Sequence, residues 1–206
     1  MVRPLPYDHS VAAVLFSVAV ALFAAVELTV ALRSRGRSRA VGRPAELDRG
    51  SKLIVFLSIA AAFTAGFALA GAVPGAAIAA SMPTVRWVVF GVGVVLIVLG
   101  AGLRHWAITT LGRFFTLDVR VSKDHQVIDT GPYRWVRHPS YTGALLSFSG
   151  IGAALGNWLT LAALVLLPTI GFVWRIGVEE QALNAQLGDA YHRYAAAHRR
   201  LIPGLW

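Results

Sequence analysis

The chain has 206 residues, of which 56% are hydrophobic and only 14% charged, against about 25% charged in an ordinary soluble domain; a mean hydropathy of +0.63 argues for a membrane protein instead. There is no cysteine, which excludes disulfides, thiolate metal ligands, a thiol nucleophile and a C-terminal prenylation box. The net charge of +9 would fit a nucleic-acid partner only if the basic residues formed one surface, and their distribution decides against that.

Uncharged or nearly uncharged runs cover Val11 to Leu32, Leu53 to Val73, Trp87 to Leu103, Tyr141 to Leu155 and Trp158 to Trp174. A bilayer core of about 30 Å needs about 20 helical residues, so the first three runs reach or approach a full span. The fourth has 15 residues and is separated from the fifth by Gly156-Asn157, a pattern that predicts a tight helical hairpin. Gly152 and Gly156 form a small-xxx-small pair expected to pack helices closely. The expected architecture is an all-α integral membrane protein of about five transmembrane helices, with residues 1–103 forming helices 1–3 and residues 104–206 a cytosolic loop, the hairpin and C-terminal cytosolic helices. Gly91-Val92-Gly93 lacks a third small residue at Leu96 and lies inside an apolar run, so no dinucleotide fingerprint of a doubly wound fold is present.

Seven Lys and Arg lie between Arg33 and Lys52, six between Arg104 and Arg137 and four from Arg175 onward, against only Arg3 and Arg86 on the other side. Such an asymmetry places the N-terminus outside and the C-terminus in the cytosol. The basic loop 33–52, with its run Arg33 to Arg43, reads as this topology signal lying against lipid headgroups. Glu27 sits inside the first span; its carboxylate is expected to reach the interface or to pair with Arg33 or Arg35.

The most informative stretch is GPYRWVRHPSYTG at 131–143, followed by 36 residues without charge, Pro139 to Trp174, and then Arg175, Glu179 and Glu180. Pro139 disfavours helix at His138 and starts one at its own position, so a helix N-terminus with unpaired N–H groups faces the cytosolic side. Arg175 and Glu179, four apart, share one helical face, whereas Glu180 turns about 100° away. The Arg-then-Glu order is the weaker one for a helical ion pair, which leaves room for a functional use. Gly188 closes that helix, Asp189 is expected to cap the next, and Tyr191, Tyr194 and His198 repeat at helical spacing in an element that covers the site.

These motifs, R-H-P-S-Y at 137–141, R-x-x-x-E-E at 175–180, G-x-x-Y-x-x-Y at 188–194 and a terminal Ile202-Pro203, resemble the isoprenylcysteine carboxyl methyltransferase family over about residues 104–206; the N-terminal half is only generically similar. The resemblance implies a membrane methyltransferase that uses S-adenosylmethionine and releases S-adenosylhomocysteine. It implies cofactor contacts from His125, Gln126, Val127 and Ile128, from Tyr133, from His138, Pro139, Ser140 and Tyr141, and from Glu179, with Arg175 on the substrate side and Arg175 and Glu179 as the catalytic pair. Near Ser122 many relatives carry Gln, a departure. The implied partners are the bilayer and a lipophilic or prenylated acceptor, most simply the carboxylate of an isoprenylcysteine-like group; neither a metal nor a nucleic acid is expected. Two alternatives stay open: a thiol, lipid or amine acceptor, for which His138 is the nearest base, and an NADPH-dependent reductase, because sterol-type reductases share an R-H-P-x-Y segment.

Overall fold

The computed structural model describes residues 3–40, 48–117, 126–204 and 206, without the side chains of residues 33 and 35–40. Among them lie helices α1 (Leu5–Asp8), α2 (Ser10–Ala40), α3 (Ser51–Ala72), α4 (Pro83–Leu111), α5 (Pro139–Ala154), α6 (Trp158–Leu187) and α7 (Asp189–Ala197). The chain is an all-helical integral membrane protein. Among the described residues four helices are long and apolar enough to cross a bilayer, within Ser10–Leu32, Ser51–Ala72, Pro83–Phe114 and Trp158–Leu187. The expected fifth span is α5, whose 16 residues give about 24 Å of helix at 1.5 Å per residue, short of the hydrocarbon thickness. Large apolar side chains such as Val14, Leu22, Leu99, Leu166 and Ile170 are exposed on the outer faces, as lipid contact requires.

Several boundaries differ from the hydropathy runs. Helix α4 starts at Pro83, which needs no N–H partner at that position, and runs on to Leu111, so Arg86 and Arg104 lie within it and not beyond its ends. Helix α6 continues past Trp174 to Leu187, which carries Arg175, Glu179 and Glu180 along one continuous rod. Between α6 and α7, Gly188 has a φ of +52°, and Asp189 is the first helical residue, with no side-chain cap from it.

The α5–α6 hairpin forms as the sequence predicts. Gly156 supplies its turn with a φ of +63° and has nothing within 4 Å of a built Cβ, so it is a turn residue and not half of a packing pair. Asn157 caps α6: its Oδ1 accepts from the N–H groups of Leu159 at 3.0 Å and Thr160 at 3.1 Å, while its Nδ2 donates to the Val73 carbonyl at 2.9 Å. One buried amide therefore ties the hairpin tip to the end of α3.

Packing follows glycine. A Cβ on Gly100 of α4 would stand 2.5 Å from the Gly143 carbonyl oxygen of α5, and one on Gly93 would stand 2.7 Å from that of Gly150. In a bilayer, where apolar side chains gain little by leaving lipid, such backbone approach is the main source of helix association. Helices α3 and α6 meet in the same way, with Gly66 against Leu164 and Thr160, whose Oγ1 donates to the Gly66 carbonyl at 2.9 Å. In the centre Phe148 takes edge contacts from Phe23 at 5.7 Å and Phe63 at 5.5 Å. That cluster joins α2, α3 and α5. Gly100→Ala should cost about 1–3 kcal/mol through overpacking and lower the thermal unfolding temperature in detergent. Gly91→Ala, at a position with open space, should leave it unchanged or slightly higher.

Candidate active site

The first turn of α5, the second half of α6 and Tyr191 and Tyr194 of α7 converge on one cavity of about 230 Å³. The backbone sets this up before any side chain does. Residues 136–138 run alongside the tail, with Arg137 N–H donating to the Arg199 carbonyl at 2.8 Å and His138 N–H to that of Arg200 at 2.9 Å. Thr142 Oγ1 adds a bond to the Leu201 carbonyl at 2.8 Å. Pro139 leaves His138 extended enough to make these contacts and then starts the helix; it is buried beneath the site but does not line the cavity.

His138 lies between two carboxylates. Its Nε2 is 3.1 Å from Glu180 Oε1, and its Nδ1 is 3.6 Å from Glu179 Oε2. Consecutive residues of α6, turned apart on the helix, thus reach opposite nitrogens of one ring. Glu180 has two further partners: Arg137 Nη2 reaches its Oε1 at 2.9 Å, and Arg200 donates to its Oε2 from Nε at 3.0 Å and Nη2 at 2.9 Å. Tyr141 donates to Glu179 Oε1 at 2.6 Å and stacks its ring on Phe172 at 4.8 Å.

Arg175 is buried and does not stand at a lipid-facing rim. Its Nε donates to Glu179 Oε1 at 2.9 Å, its Nη1 to Asp48 Oδ1 at 2.6 Å and Ser51 Oγ at 3.0 Å, and its Nη2 to the Leu117 carbonyl at 2.6 Å. Two helices and two connecting segments are joined by this guanidinium, whose planar fork suits several acceptors at once. Glu27 does not pair with its own helix: it clasps Arg104 of α4 through both oxygens, and Arg104 Nη1 donates to Ser140 Oγ at 2.9 Å and to the Ser140 carbonyl at 3.1 Å.

Of the residues expected at a site, Gln126, Val127, Ile128, Tyr133, His138, Ser140, Tyr141, Arg175 and Glu179 all line the cavity; His125 and Ser122 lie outside the described residues. Tyr133 is held by Tyr194, whose Oη donates to the Tyr133 carbonyl at 2.7 Å. Burial pushes the phenols of Tyr133, Tyr191 and Tyr194 above the ordinary range, with Glu179 adding to the shift at Tyr133, so all three remain neutral donors. The sequence alone placed Glu180 in the R-x-x-x-E-E motif without a role, and it did not single out Arg104 or Asp48 as site residues.

The lining is of two kinds. The polar and aromatic part includes His138, Tyr141, Tyr191 and Glu179; the apolar part, Val55 and Ile59 of α3, Ala144 and Phe148 of α5 and Phe172 of α6, belongs to one packed cluster between those helices. A carboxylate beside stacked aromatic faces suits a cation, and the apolar part suits a hydrocarbon. The pairing of Glu180 also yields a stability test. Glu180→Ala leaves Arg137 and His138 buried without their carboxylate, which should cost about 3–5 kcal/mol, whereas Asp189→Ala on exposed α7 should shift thermal unfolding little.

Residues 93–185 match the model of the Isoprenylcysteine carboxyl methyltransferase (ICMT) family. Protein-S-isoprenylcysteine O-methyltransferase A of Arabidopsis thaliana is 34% identical over 120 residues, 57% of this chain and 61% of that protein. The Protein-S-isoprenylcysteine O-methyltransferase of Schizosaccharomyces pombe is 35% identical over 107 residues, 51% of this chain and 44% of its own length. The chain therefore spans less than two thirds of either relative. The solved structure of a eukaryotic intramembrane Ras methyltransferase, ICMT, superposes with a TM-score of 0.59 at 28% identity, covering 73% of this chain and 52% of that one. The stretch 93–185, which holds His138, Tyr141, Arg175, Glu179 and Glu180, is thus similar in sequence to the isoprenylcysteine carboxyl methyltransferase family, and the chain is similar to it in helical fold.

Proposed function

We propose that this chain is an S-adenosylmethionine-dependent membrane methyltransferase that acts on a lipophilic acceptor, the carboxylate of an isoprenylcysteine-like group. The observation that carries this reading is the two-part cavity, in which the family-matched polar residues and an apolar arm between α3, α5 and α6 share one space. Residues 104–206 act as the catalytic region, and the first three long helices complete its walls.

The donor set fits the cofactor. Glu179 and the faces of Tyr141 and His138 suit a cationic sulfonium and its amino group, and Gln126, Val127 and Ile128 offer a polar-to-apolar edge for the nucleoside. When bound, S-adenosylmethionine supplies an electrophilic methyl group for in-line displacement. An acceptor carboxylate is already ionised at neutral pH, so this chain needs no general base for it. Its residues contribute alignment and exclusion of water. Arg175 meets the acceptor by exchanging the contact of Nη1 with Asp48 for one with an oxygen of the acceptor's carboxylate, a charge-assisted bond of the same chemistry. The apolar arm receives the hydrocarbon.

The purified protein should bind S-adenosylhomocysteine in the micromolar range, a scale usual for enzyme substrates, and should not bind NADPH. Isothermal titration checks both. Tyr141→Ala or Glu179→Ala should weaken binding by about tenfold or more, the scale of losing a charge-assisted contact; binding of NADPH in place of S-adenosylhomocysteine would transfer the chain to the reductase class.

The orientation proposed is N-terminus outside, C-terminus and site in the cytosol, from the seventeen-to-two distribution of Lys and Arg. Arg3 and Arg86, the two exceptions, meet at one end of the bundle, where Arg86 Nη2 donates to the Arg3 carbonyl at 2.6 Å. A reporter fused after Trp206 should be cytosolic and one inserted at 75–80 external. Labelling of both from the same side would overturn the orientation.

A further inference from the structure

Glu27 and Arg104 both line the cavity, at the seam of α2 and α4. Glu27 lies outside the family-matched stretch, which begins at residue 93. Arg104 is buried, and a cation at such depth is kept only with a partner. Glu27 satisfies Nε and Nη2, with Nη2 to Oε2 at 2.9 Å. A purely neutralising pair would be complete at that point. Arg104 goes further: Nη1 places two bonds on Ser140, one on the hydroxyl and one on the backbone carbonyl. The carbonyl bond acts on the main chain of the first turn of α5, between His138 and Tyr141.

Those two neighbours are the groups that touch Glu179 and Glu180. A bidentate clasp by Glu27 fixes the plane of the guanidinium, and a fixed plane fixes where Nη1 points. We propose that Glu27 is a positioning residue: through Arg104 it pins Ser140 and the first turn of α5, and so sets where His138 and Tyr141 stand in the cavity. The consequence for cofactor binding rests on the methyltransferase reading; the positioning itself does not.

The test uses the full chain in nanodiscs, with Glu27→Gln, Arg104→Met and the double variant. Each single variant strands a charge and should lower the unfolding temperature; the double leaves no unpaired charge and should recover it. Affinity for S-adenosylhomocysteine should stay down by about tenfold in the double, since small misplacements of binding groups cost that much or more. Hydrogen exchange of residues 137–145 should stay faster than in the parent, with or without ligand. Recovery of affinity and exchange together with the unfolding temperature would reduce the pair to a structural clasp and overturn the proposal. A parent that binds no S-adenosylhomocysteine would sink the methyltransferase reading alone. Exchange then decides Glu27: faster in the double variant upholds the positioning role, unchanged overturns it. Should the double fail to fold, Glu27→Asp keeps the charge, shortens the reach and is judged by the same exchange measurement.

Discussion

A carboxylate held among helices in a bilayer has to be paired, and the pairing of Glu180 joins parts of the chain that no hydrophobic contact would bring together. Arg137 comes from the loop before α5, His138 from the N-cap of α5 and Arg200 from the tail after α7. Glu180, Arg137 and His138 are largely buried and would each carry a desolvation penalty if unpaired, and the more exposed Arg200 completes the pairing from the tail, so the three segments are held jointly. The short parallel contact between residues 136–138 and 199–200 is the backbone expression of the same constraint. Because His138 also faces Glu179, fixing Glu180 fixes the other carboxylate's neighbourhood as well.

The glycine seam between α4 and α5 has the complementary role. Backbones that approach this closely leave no lateral freedom, and the seam ends at Gly143, whose built Cβ would stand 2.7 Å from the Arg104 N–H nitrogen. That closeness is what lets Arg104 reach Ser140. A larger residue along the seam would move Arg104, itself a cavity-lining group, away from the first turn of α5.

The helices were legible in the sequence because lipid selects long uncharged runs, and the start of α5 was legible because Pro139 allows few backbone choices. Gly93 and Gly100 on α4 and Gly143 and Gly150 on α5 are each seven apart, a signal of helix contact that was present in the sequence and that the nearer pair Gly152 and Gly156 obscured. Glu180 was hidden by the helical wheel: it shares no face with Arg175, and its partners come from 42 residues earlier and 20 later. Arg104 looked like a flanking charge because the apolar run stopped at Leu103, yet α4 continues to Leu111. Glu27 pointed by proximity to Arg33 and Arg35; its actual partner is 77 residues away. Periodicity shows which face is apolar, but it does not show which distant charge completes a pair.

The two long-range clasps also bear on where the sequence match to the family lies, over residues 93–185. Arg104 is neutralised by Glu27 of α2, and Arg175 is paired with Asp48 and hydrogen-bonded to Ser51 at the start of α3. Both arginines belong to the matched stretch, and both are paired in part from outside it. What the N-terminal helices must supply is a carboxylate at the right depth and an apolar outer face, requirements that many sequences meet without a fixed motif. The C-terminal half must place a ring, two adjacent carboxylates and a phenol within hydrogen-bond reach, which few sequences do. Sequence similarity therefore concentrates where geometry is demanding. The unmatched half remains electrostatically necessary, since without it two buried guanidinium groups would face an apolar bundle with fewer partners than their charge requires.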